Sequence, residues 1–322
     1  MILNRRAAAL LLLLGGALIG ARPAAALDTV RAVKASSVAW TFTVLDVGMQ
    51  EGIFQKYGID VEISSAGGDA KVQQALASNS VDFGLGSGPS MAFVAKGAPQ
   101  IAVAAFASAP RNIGILVGAD SPIKTVADLK GKTLAVTTTG SLTEWLAKQM
   151  AIQEGWGADG IKTAALGTFD ASFAALEAHQ IDAVVAAVEA GYRMEEKGSG
   201  KLLIGLDRYA PNFITHVVYA RDALVKDNPD VVKRFLQGFF ATIHFFKTNR
   251  DATIAIGSKV LDMSPTAMAK TYDYEISMFI DDGTFDPKAV EVLKKSWLDM
   301  GTLTSSPPDN KLFTTEFVPV KY

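Results

Sequence analysis

The residue types that most often carry catalysis or hold metals are scarce in this chain. It has three histidines and no cysteine, which excludes thiolate chemistry, disulfides and a lipid-carrying cysteine. The histidines lie far apart in the sequence, without the H-E-x-x-H spacing of a zinc site: His179, His216 and His244. We therefore expect no metal, no cofactor and no catalytic residue.

Two glycine-containing stretches come close to known motifs, but each lacks a required residue. GLGSG at 84–88 is followed by Pro89, which breaks the dinucleotide-binding pattern, and Leu85 excludes a G-x-S-x-G nucleophile elbow. GKT at 131–133 lacks the upstream glycine of a phosphate-binding loop, because residue 126 is valine. These stretches support neither nucleotide binding nor acyl transfer.

Polar and aromatic residues instead follow apolar strands, where loops lead into helix starts. In open α/β sheets, ligands bind beyond the carboxyl ends of the strands, beside helix N-termini whose first N–H groups are unpaired. Two facing lobes would bring such loops together around one cavity. The candidate ligand contacts are Ser36, Trp40, Ser87, Gly88, Arg111, Thr139, Gly140, Ser141, Phe169, Asp170, Glu189 and His216.

Several candidates have a structural interpretation beside the ligand-binding one. Ser141 opens a capping box (S-L-T-E), so it caps its own helix, contacts the ligand, or does both. Trp40 either stacks on a ligand or covers the first helix. Arg111 either pairs with an anion or forms a salt bridge at the hinge.

Two candidates have titratable side chains. Glu189 follows an apolar strand, and His216 lies within one. Glu189 lies either at a cleft mouth, where it can accept from a ligand amine or hydroxyl, or in the interior at high cost. His216 either donates to a ligand or is a satisfied structural group. Three Gly/Ser-rich helix starts could converge on one carboxylate or sulfonate, which predicts an anionic ligand.

Short apolar runs alternate with helical stretches over the first two thirds of the chain. Residues 30–36 and 59–64 are predicted strands, and residues 42–57 between them are a predicted helix closing at Gly58. Parallel strands need a crossover, usually a helix, between them. The alternation therefore predicts the α/β class, with a parallel sheet covered by helices.

An internal repeat divides this region in two. ALASNSVD at 75–82 aligns, at an offset of 100 residues, with ALEAHQID at 175–182. In each copy a helix end and a polar turn precede an aspartate that opens a buried strand. Two similar lobes are predicted.

From residue 228 onward the sequence predicts helices. Residues 231–247 carry apolar residues near helical spacing and so present one broad core face. Residues 317–322 read as an extended tail over the body. Three cap residues each precede a proline at a first helical position: Asn228-Pro229, Ser264-Pro265 and Asp286-Pro287.

The composition and the N-terminus indicate an exported globular protein. The chain is 49% hydrophobic and 20% charged, with a formal net charge of −2 and no long basic run, so nucleic acid is not an expected partner. Arg5 and Arg6 precede the apolar stretch 7–21, and small residues at 24–26 follow it. This pattern predicts a signal peptide at 1–26, cleaved after Ala26. We expect the mature chain to be a periplasmic monomer without membrane insertion.

Three stretches carry a family pattern: MQEGIFQKYG at 49–58 before the strand 61–64, ALASNSVDFGLGSG at 75–88, and SPIKTVADLKGK at 121–132, continuing into Gly140 and Ser141. They resemble ABC-transporter substrate-binding proteins of the nitrate/sulfonate/taurine type, including relatives that bind pyrimidine precursors. The resemblance spans nearly the whole mature chain.

The resemblance implies a periplasmic binding protein type II fold, with two α/β lobes joined by two crossing strands. One lobe would comprise residues 27–112 and 216–322, and the other residues 113–215. A small-molecule ligand would be held in the cleft and handed to an ABC permease in the inner membrane. Many sulfonate and taurine binders carry W-x-P-Y where this chain reads VEAGY at 188–192. Taurine and nitrate are therefore not carried over as ligands, and a larger organic acid is an equal alternative.

Two other functions remain open on the same fold. An enzyme resembling the pyrimidine-precursor synthase of the thiamine pathway, or a porphobilinogen deaminase, would share the architecture. The resemblance to the synthase implies an active-site motif that contains cysteine, and the deaminase anchors its cofactor on a cysteine. The absence of cysteine from this chain therefore argues against both enzymes. A periplasmic sensor would keep the fold and change only the partner surface.

Overall fold

The computed structural model describes residues 26–322, which form two five-stranded sheets covered by helices. The strands are β1 Asp28–Lys34, β2 Ile59–Ser65, β3 Phe83–Ser87, β4 Gln100–Ala107, β5 Ile113–Gly118, β6 Thr133–Val136, β7 Lys162–Ala165, β8 Ala183–Ala187, β9 Gly200–Gly205 and β10 His216–Arg221. The helices are α1 Val44–Gln50, α2 Ile53–Lys56, α3 Asp69–Ala77, α4 Met91–Ala95, α5 Leu142–Gln153, α6 Phe169–Glu177, α7 Val188–Lys197, α8 Asp222–Asp227, α9 Pro229–Thr248, α10 Arg250–Leu261, α11 Pro265–Glu275 and α12 Pro287–Asp299.

The two sheets have equivalent topologies. The first has the order β2-β1-β3-β10-β4 and the second the order β7-β6-β8-β5-β9. The expectation of an all-parallel sheet is wrong for one strand in each. β10 runs antiparallel to β3 and β4, and β5 runs antiparallel to β8 and β9. Each of these strands follows a passage of the chain from the other sheet, so no helical crossover fixes its direction.

The chain passes between the sheets twice, at residues 108–112 and 206–215. Each sheet with its helices forms one α/β lobe, as the family resemblance implied, and we call the lobes containing β1 and β6 the first and the second lobe. The boundaries drawn at residues 112/113 and 215/216 stay a prediction.

The predicted signal peptide lies outside the described residues, except for Ala26, and it also stays a prediction. Within residues 26–322, every helix is too short or too polar to cross a lipid bilayer.

The internal repeat extends to individual hydrogen bonds. Asn79 and His179 occupy the same place after α3 and α6, and both have a left-handed backbone, with φ of 58° and 55°. The aspartates three residues later, Asp82 and Asp182, each accept a backbone N–H from the neighbouring strand, at 2.9 and 2.8 Å. The same local sequence logic therefore builds the same helix-to-strand turn in both lobes.

The predicted single helix at 42–57 is wrong. The chain instead forms a 3-10 turn at Trp40–Phe42, then α1 and α2, which are separated at Gly52. Gly52 has φ of 63°, a left-handed conformation that glycine adopts without the steric cost of a side chain. The break turns α2 toward α9, so that Phe54 stacks on Phe235 at 5.5 Å between ring centroids.

The C-terminal helices begin where the proline pairs predicted. α9, α11 and α12 each have proline at the first position. Ser264 and Asp286 accept a backbone N–H from their helices, whereas the side chain of Asn228 makes no such bond. α9 buries its aromatic face in the core of the first lobe, where Phe83 and Phe235 stack at 3.9 Å. Full burial of each such ring contributes about 1.5–3 kcal/mol.

Candidate functional site

A cavity of about 190 Å³ lies between the two sheets. Its first wall is formed by residues 35–39 after β1 and residues 66–67 after β2. Its second wall is formed by Thr137 after β6, residues 167–169 after β7, and the end of β8. Both walls therefore come from the carboxyl ends of strands, the usual ligand position in open α/β sheets.

Three of the candidate residues line this cavity: Ser36 on the first wall, Phe169 at the start of α6, and His216 at the start of β10. Thr139 and Gly140 line a separate, larger groove of about 740 Å³ instead. That groove borders the cavity, because Thr137 and Gly167 belong to both.

The start of α5 is already occupied by carboxylates of this chain. Asp69, in the first turn of α3, accepts the backbone N–H of Leu142 at 3.2 Å, and Glu144 accepts that of Gly140 at 2.6 Å. Ser141 is fully buried and accepts the N–H of Glu144. The structural interpretation of Ser141 thus holds, and an anionic ligand at this helix start would meet two acidic groups.

Ser87 supports Asp69 and does not line the cavity. Its backbone N–H and hydroxyl donate to the Asp69 carboxylate at 2.9 and 2.8 Å. Burial raises the pKa of Asp69, and the hydrogen bonds from Ser87 and Leu142 oppose that rise. Asp69 lines the cavity, so it links a wall of the site to the opposite lobe.

Trp40, which we expected beside a ligand, lies in the core. Its ring is fully buried and contacts Phe246 and Phe279, each at 5.3 Å between ring centroids. The side chain turns inward because these C-terminal helices and loops supply an aromatic pocket on that side of the 3-10 turn. Its backbone N–H, however, donates to Glu189 Oε1 in the second lobe at 2.5 Å.

Glu189 is fully buried and outside the cavity lining, so the interior interpretation holds. It lies in the first turn of α7, where its carboxyl faces that of Glu275 at the end of α11. Burial raises the pKa of both groups, and repulsion from Glu189 raises that of Glu275 further. The two carboxyls lie on helices of different lobes, and Glu189 Oε2 and both Glu275 oxygens have no hydrogen-bond partner among residues 26–322.

The other candidates also lie away from the cavity. The Arg111 guanidinium is 5.8 Å from the Tyr274 ring centroid, and Asp170 is exposed in the first turn of α6. Gly88 donates its N–H to Thr215 on the returning chain, at 3.0 Å. A side chain on Gly88 would clash with the Ile214 carbonyl, so glycine is needed here for the two backbone segments to pack closely.

A buried polar network forms the floor of the cavity. Asn112 Nδ2 donates to Thr41 Oγ1 and to His216 Nε2, at 2.8 Å each. Burial lowers the pKa of His216 to about 3, so the imidazole is neutral near pH 7 and one ring nitrogen can accept. Asn112 and His216 both line the cavity.

The lining carries little charge. Among the described residues around the cavity, Asp69 is the one ionisable acid, and none is lysine or arginine. Apart from Asp69 and the neutral imidazole, its polar groups are hydroxyls, the Asn112 amide and backbone groups near the starts of α3 and α6. A ligand with more than one unpaired charge would lack partners here.

Sequence reasoning missed Asp69, Asn112 and Thr137 as lining residues. Gly67 and Gly68, which precede Asp69, could have signalled a loop at a strand end. Asn112 lies beside Arg111 at the predicted crossing, but nothing local in the sequence shows that it meets Thr41 and His216.

Two α/β lobes around such a cavity define the periplasmic binding protein fold. The family profile described as NMT1/THI5 like matches residues 40–251. The chain therefore belongs to the NMT1/THI5-like family. Among curated proteins, no relative matches.

Solved structures share the fold at low sequence identity. The alkanesulfonate-binding protein SsuA from Xanthomonas axonopodis pv. citri, bound to MOPS, has a TM-score of 0.76 and 17% identity, covering 90% of this chain and 99% of that chain. The periplasmic aliphatic sulphonate binding protein SsuA from Escherichia coli has a TM-score of 0.69 and 19% identity, with coverages of 89% and 92%. A Candida albicans protein described as having the generic periplasmic binding protein fold has a TM-score of 0.74 and 18% identity, with coverages of 89% and 96%.

An enzyme also shares the fold. A mutant of the desulfurization enzyme DszB, in complex with biphenyl-2-sulfinic acid, has a TM-score of 0.63 and 14% identity, covering 90% of this chain and 97% of that chain. Binding proteins and an enzyme are thus built on this architecture, and function must be argued from the site.

Proposed function

We propose that this chain is the solute-binding component of an ABC importer, which holds a small organic solute in the cavity and delivers it to a permease. The observation that carries the proposal is the cavity between the carboxyl ends of both sheets, lined from both lobes. A concave, mostly uncharged cavity between two lobes suits reversible capture of a small solute.

The two lobes touch across the cleft. Besides the Trp40–Glu189 and Asp69–Leu142 contacts, the backbone N–H of Ala70 donates to Thr138 Oγ1 at 3.2 Å, and Trp145 Nε1 donates to Ser296 Oγ at 2.7 Å. These direct contacts break when the lobes separate and form again when they close. We therefore propose hinge closure on the ligand, driven by its higher affinity for the closed state.

We propose a single negative group on the solute, placed at the start of α6. Phe169 begins that helix, whose N-terminus is its positive end, although the Ala171 N–H there already donates to Thr168 Oγ1 at 3.3 Å. The sulfonate binders among the structural relatives support this proposal. Three helix N-termini were first expected to converge on this group. The start of α5 is not among them, because carboxylates of the chain already occupy it.

Export, periplasmic location and the monomeric state belong to the same proposal. Export and the periplasmic location rest on the signal-peptide pattern and on a structural relative named as a periplasmic binding protein. An enzymatic function is not proposed, because the described cavity lining presents no cysteine, lysine or arginine, and burial lowers the pKa of its one histidine, His216, to about 3.

A ligand screen tests the function. The mature chain from residue 27 is screened by thermal shift against alkyl and aryl sulfonates, carboxylates, nitrate and pyrimidines, and hits are measured by calorimetry. A ligand at 100 times its Kd should stabilise the protein by about 2.7 kcal/mol. No hit, or steady turnover of a bound compound, would contradict the proposal.

A cavity-filling variant locates the binding site. Ser36→Phe places a ring in the cavity and should abolish binding of any hit, while far-UV circular dichroism stays unchanged. The matched control, Ser80→Phe, changes an exposed serine outside the cavity lining and should bind normally. Equal binding by both variants would place the ligand elsewhere.

A further inference from the structure

We propose that this protein binds a proton together with its solute, at a site formed by the facing carboxyls of Glu189 and Glu275. The inference rests on the proposed function, because closure of the lobes on the solute is the step that assembles the site. It adds a second ligand, the proton, and it makes the affinity for the solute depend on pH.

The first step is the state of the two carboxyls. Both residues are 0% exposed. Glu189 Oε1 accepts the Trp40 backbone N–H at 2.5 Å, but Glu189 Oε2 and both Glu275 oxygens have no hydrogen-bond partner among residues 26–322. Two buried carboxyls that face each other cannot both be ionised, and one proton turns the pair into a donor and an acceptor. The closed pair therefore holds a proton, in an O–H···O hydrogen bond.

The second step is the charge around the pair. Among the described residues, the cation that acts on it is Arg193, one turn further along α7, which lowers the pKa of Glu189. The Arg193 guanidinium also donates to the Leu261 carbonyl on α10, at 3.0 Å. Burial and both glutamates raise the pKa of Tyr192, so this neighbour stays neutral. Burial outweighs the one cation, and the pKa of both carboxyls stays raised.

The third step is the position of the pair between the lobes. Glu189 lies on α7 of the second lobe, and Glu275 lies on α11, one of the C-terminal helices of the first lobe. Separating the lobes separates the two carboxyls and admits water to them. In water each returns toward its ordinary pKa of about 4.5, so at neutral pH the open protein releases the proton that the closed protein holds.

Proton uptake and solute binding are then linked. Because the closed state has the raised pKa, lower pH favours closure, and the effect is lost as the pH rises through that pKa. At pH 7.5 each bound solute takes up about one proton, and the affinity falls about tenfold per pH unit. His216 adds little at this pH, because its pKa is about 3 when buried and its ordinary value is 6.5.

Calorimetry in two buffers counts the protons. The probes are propane-1-sulfonate and benzenesulfonate, whose sulfonate groups stay ionised across this pH range. Each is titrated into the mature wild-type chain at pH 7.5 in phosphate and in Tris, which differ in their heats of ionisation. The difference between the two observed heats gives the number of protons taken from the buffer, and we expect about one per solute. An uptake below about half a proton overturns the inference.

Variants assign the uptake to the pair. In Glu275→Gln the introduced amide donates to Glu189 without a proton from solution, so the uptake should vanish and the affinity should lose its pH dependence. Glu195→Gln makes the same change at an exposed position on α7 and should keep the wild-type uptake. Uptake that persists in Glu275→Gln comes from another group and contradicts the proposed site. The wild-type count needs no variant, so it decides the inference even if Glu275→Gln does not fold.

A measurement without solute decides the inference if neither sulfonate binds. Small-angle X-ray scattering of the wild-type chain should give a larger radius of gyration at pH 8.5 than at pH 6, because loss of the proton favours open lobes. An equal radius at both pH values then overturns the inference. Solute binding without proton uptake leaves the proposed function intact. If no screened solute binds at all, the proposed function fails, and this inference fails with it.

Discussion

Asp69 shows how one side chain can serve both the fold and the site. It lines the cavity, holds the β3 end through Ser87, and reaches the start of α5 in the other lobe. Three donors converge on one buried carboxyl, so the residue acts as an interlobe cap rather than as a free charge. The Asp69 carboxylate therefore has few acceptor positions left for a ligand.

Removing this carboxyl should destabilise the protein. Asp69→Ala leaves the buried donors of Ser87 and Leu142 without their acceptor, and we expect a loss of about 2–3 kcal/mol in the free energy of unfolding, measured by urea denaturation. The control Asp170→Ala changes an exposed acid in the first turn of α6 and should cost about 0.5 kcal/mol or less. Equal losses in the two variants would contradict this role.

At the scale of elements, the repeated helix-to-strand turn uses the left-handed conformation twice with different residues. Asn79 and His179 both have positive φ, but asparagine tolerates this region better than histidine does. The same turn therefore carries a different steric cost in each lobe. His179 also lies 3.6 Å from Asp120, an exposed pair that contributes little.

Glycine at these two positions should reveal the difference. His179→Gly removes the side-chain clash of a left-handed residue and should raise the free energy of unfolding by about 0.5–1 kcal/mol. Asn79→Gly should gain less, because the native residue is less strained. Urea denaturation of both variants checks this, and a larger gain at Asn79 would refute it.

At the scale of the whole molecule, the Glu189 and Glu275 carboxyls face each other in the protein interior, on helices of the two lobes. Burial raises the pKa of both carboxyls, although the Arg193 guanidinium on α7 lowers that of Glu189. The folded protein therefore holds protons that the unfolded chain releases above its ordinary carboxyl pKa of about 4.5. The resulting stabilisation is complete at acidic pH and is lost as the pH rises toward neutrality and beyond.

Removing one titrating partner should flatten this dependence. Between pH 5 and pH 8, the free energy of unfolding should fall less steeply with pH in Glu275→Gln than in the wild type. One such proton can give a slope of up to about 1.4 kcal/mol per pH unit. Denaturation series across this range measure the slope. The control Glu195→Gln, an exposed change on α7, should keep the wild-type slope. A variant slope as steep as that of the wild type would exclude the pair as its source.

Much of the architecture was readable from sequence because its signals are local. The proline pairs predicted the starts of α9, α11 and α12, and the repeat at 75–82 and 175–182 predicted two equivalent lobes. The helix break at Gly52 was missed, since the apolar pattern continues across it. The antiparallel strands β5 and β10 were missed because their direction depends on chain crossings.

The sequence by itself determined the α/β class, the paired lobes and the binding-protein family, because periodicity, caps and turns act over a few residues. Only the tertiary structure decided which strand-end loops meet the cavity. Trp40 turns into the core, Asp69 fills the α5 start, and Asn112 meets Thr41 and His216. These contacts join residues far apart in the chain, and they form only when the two lobes pack against each other.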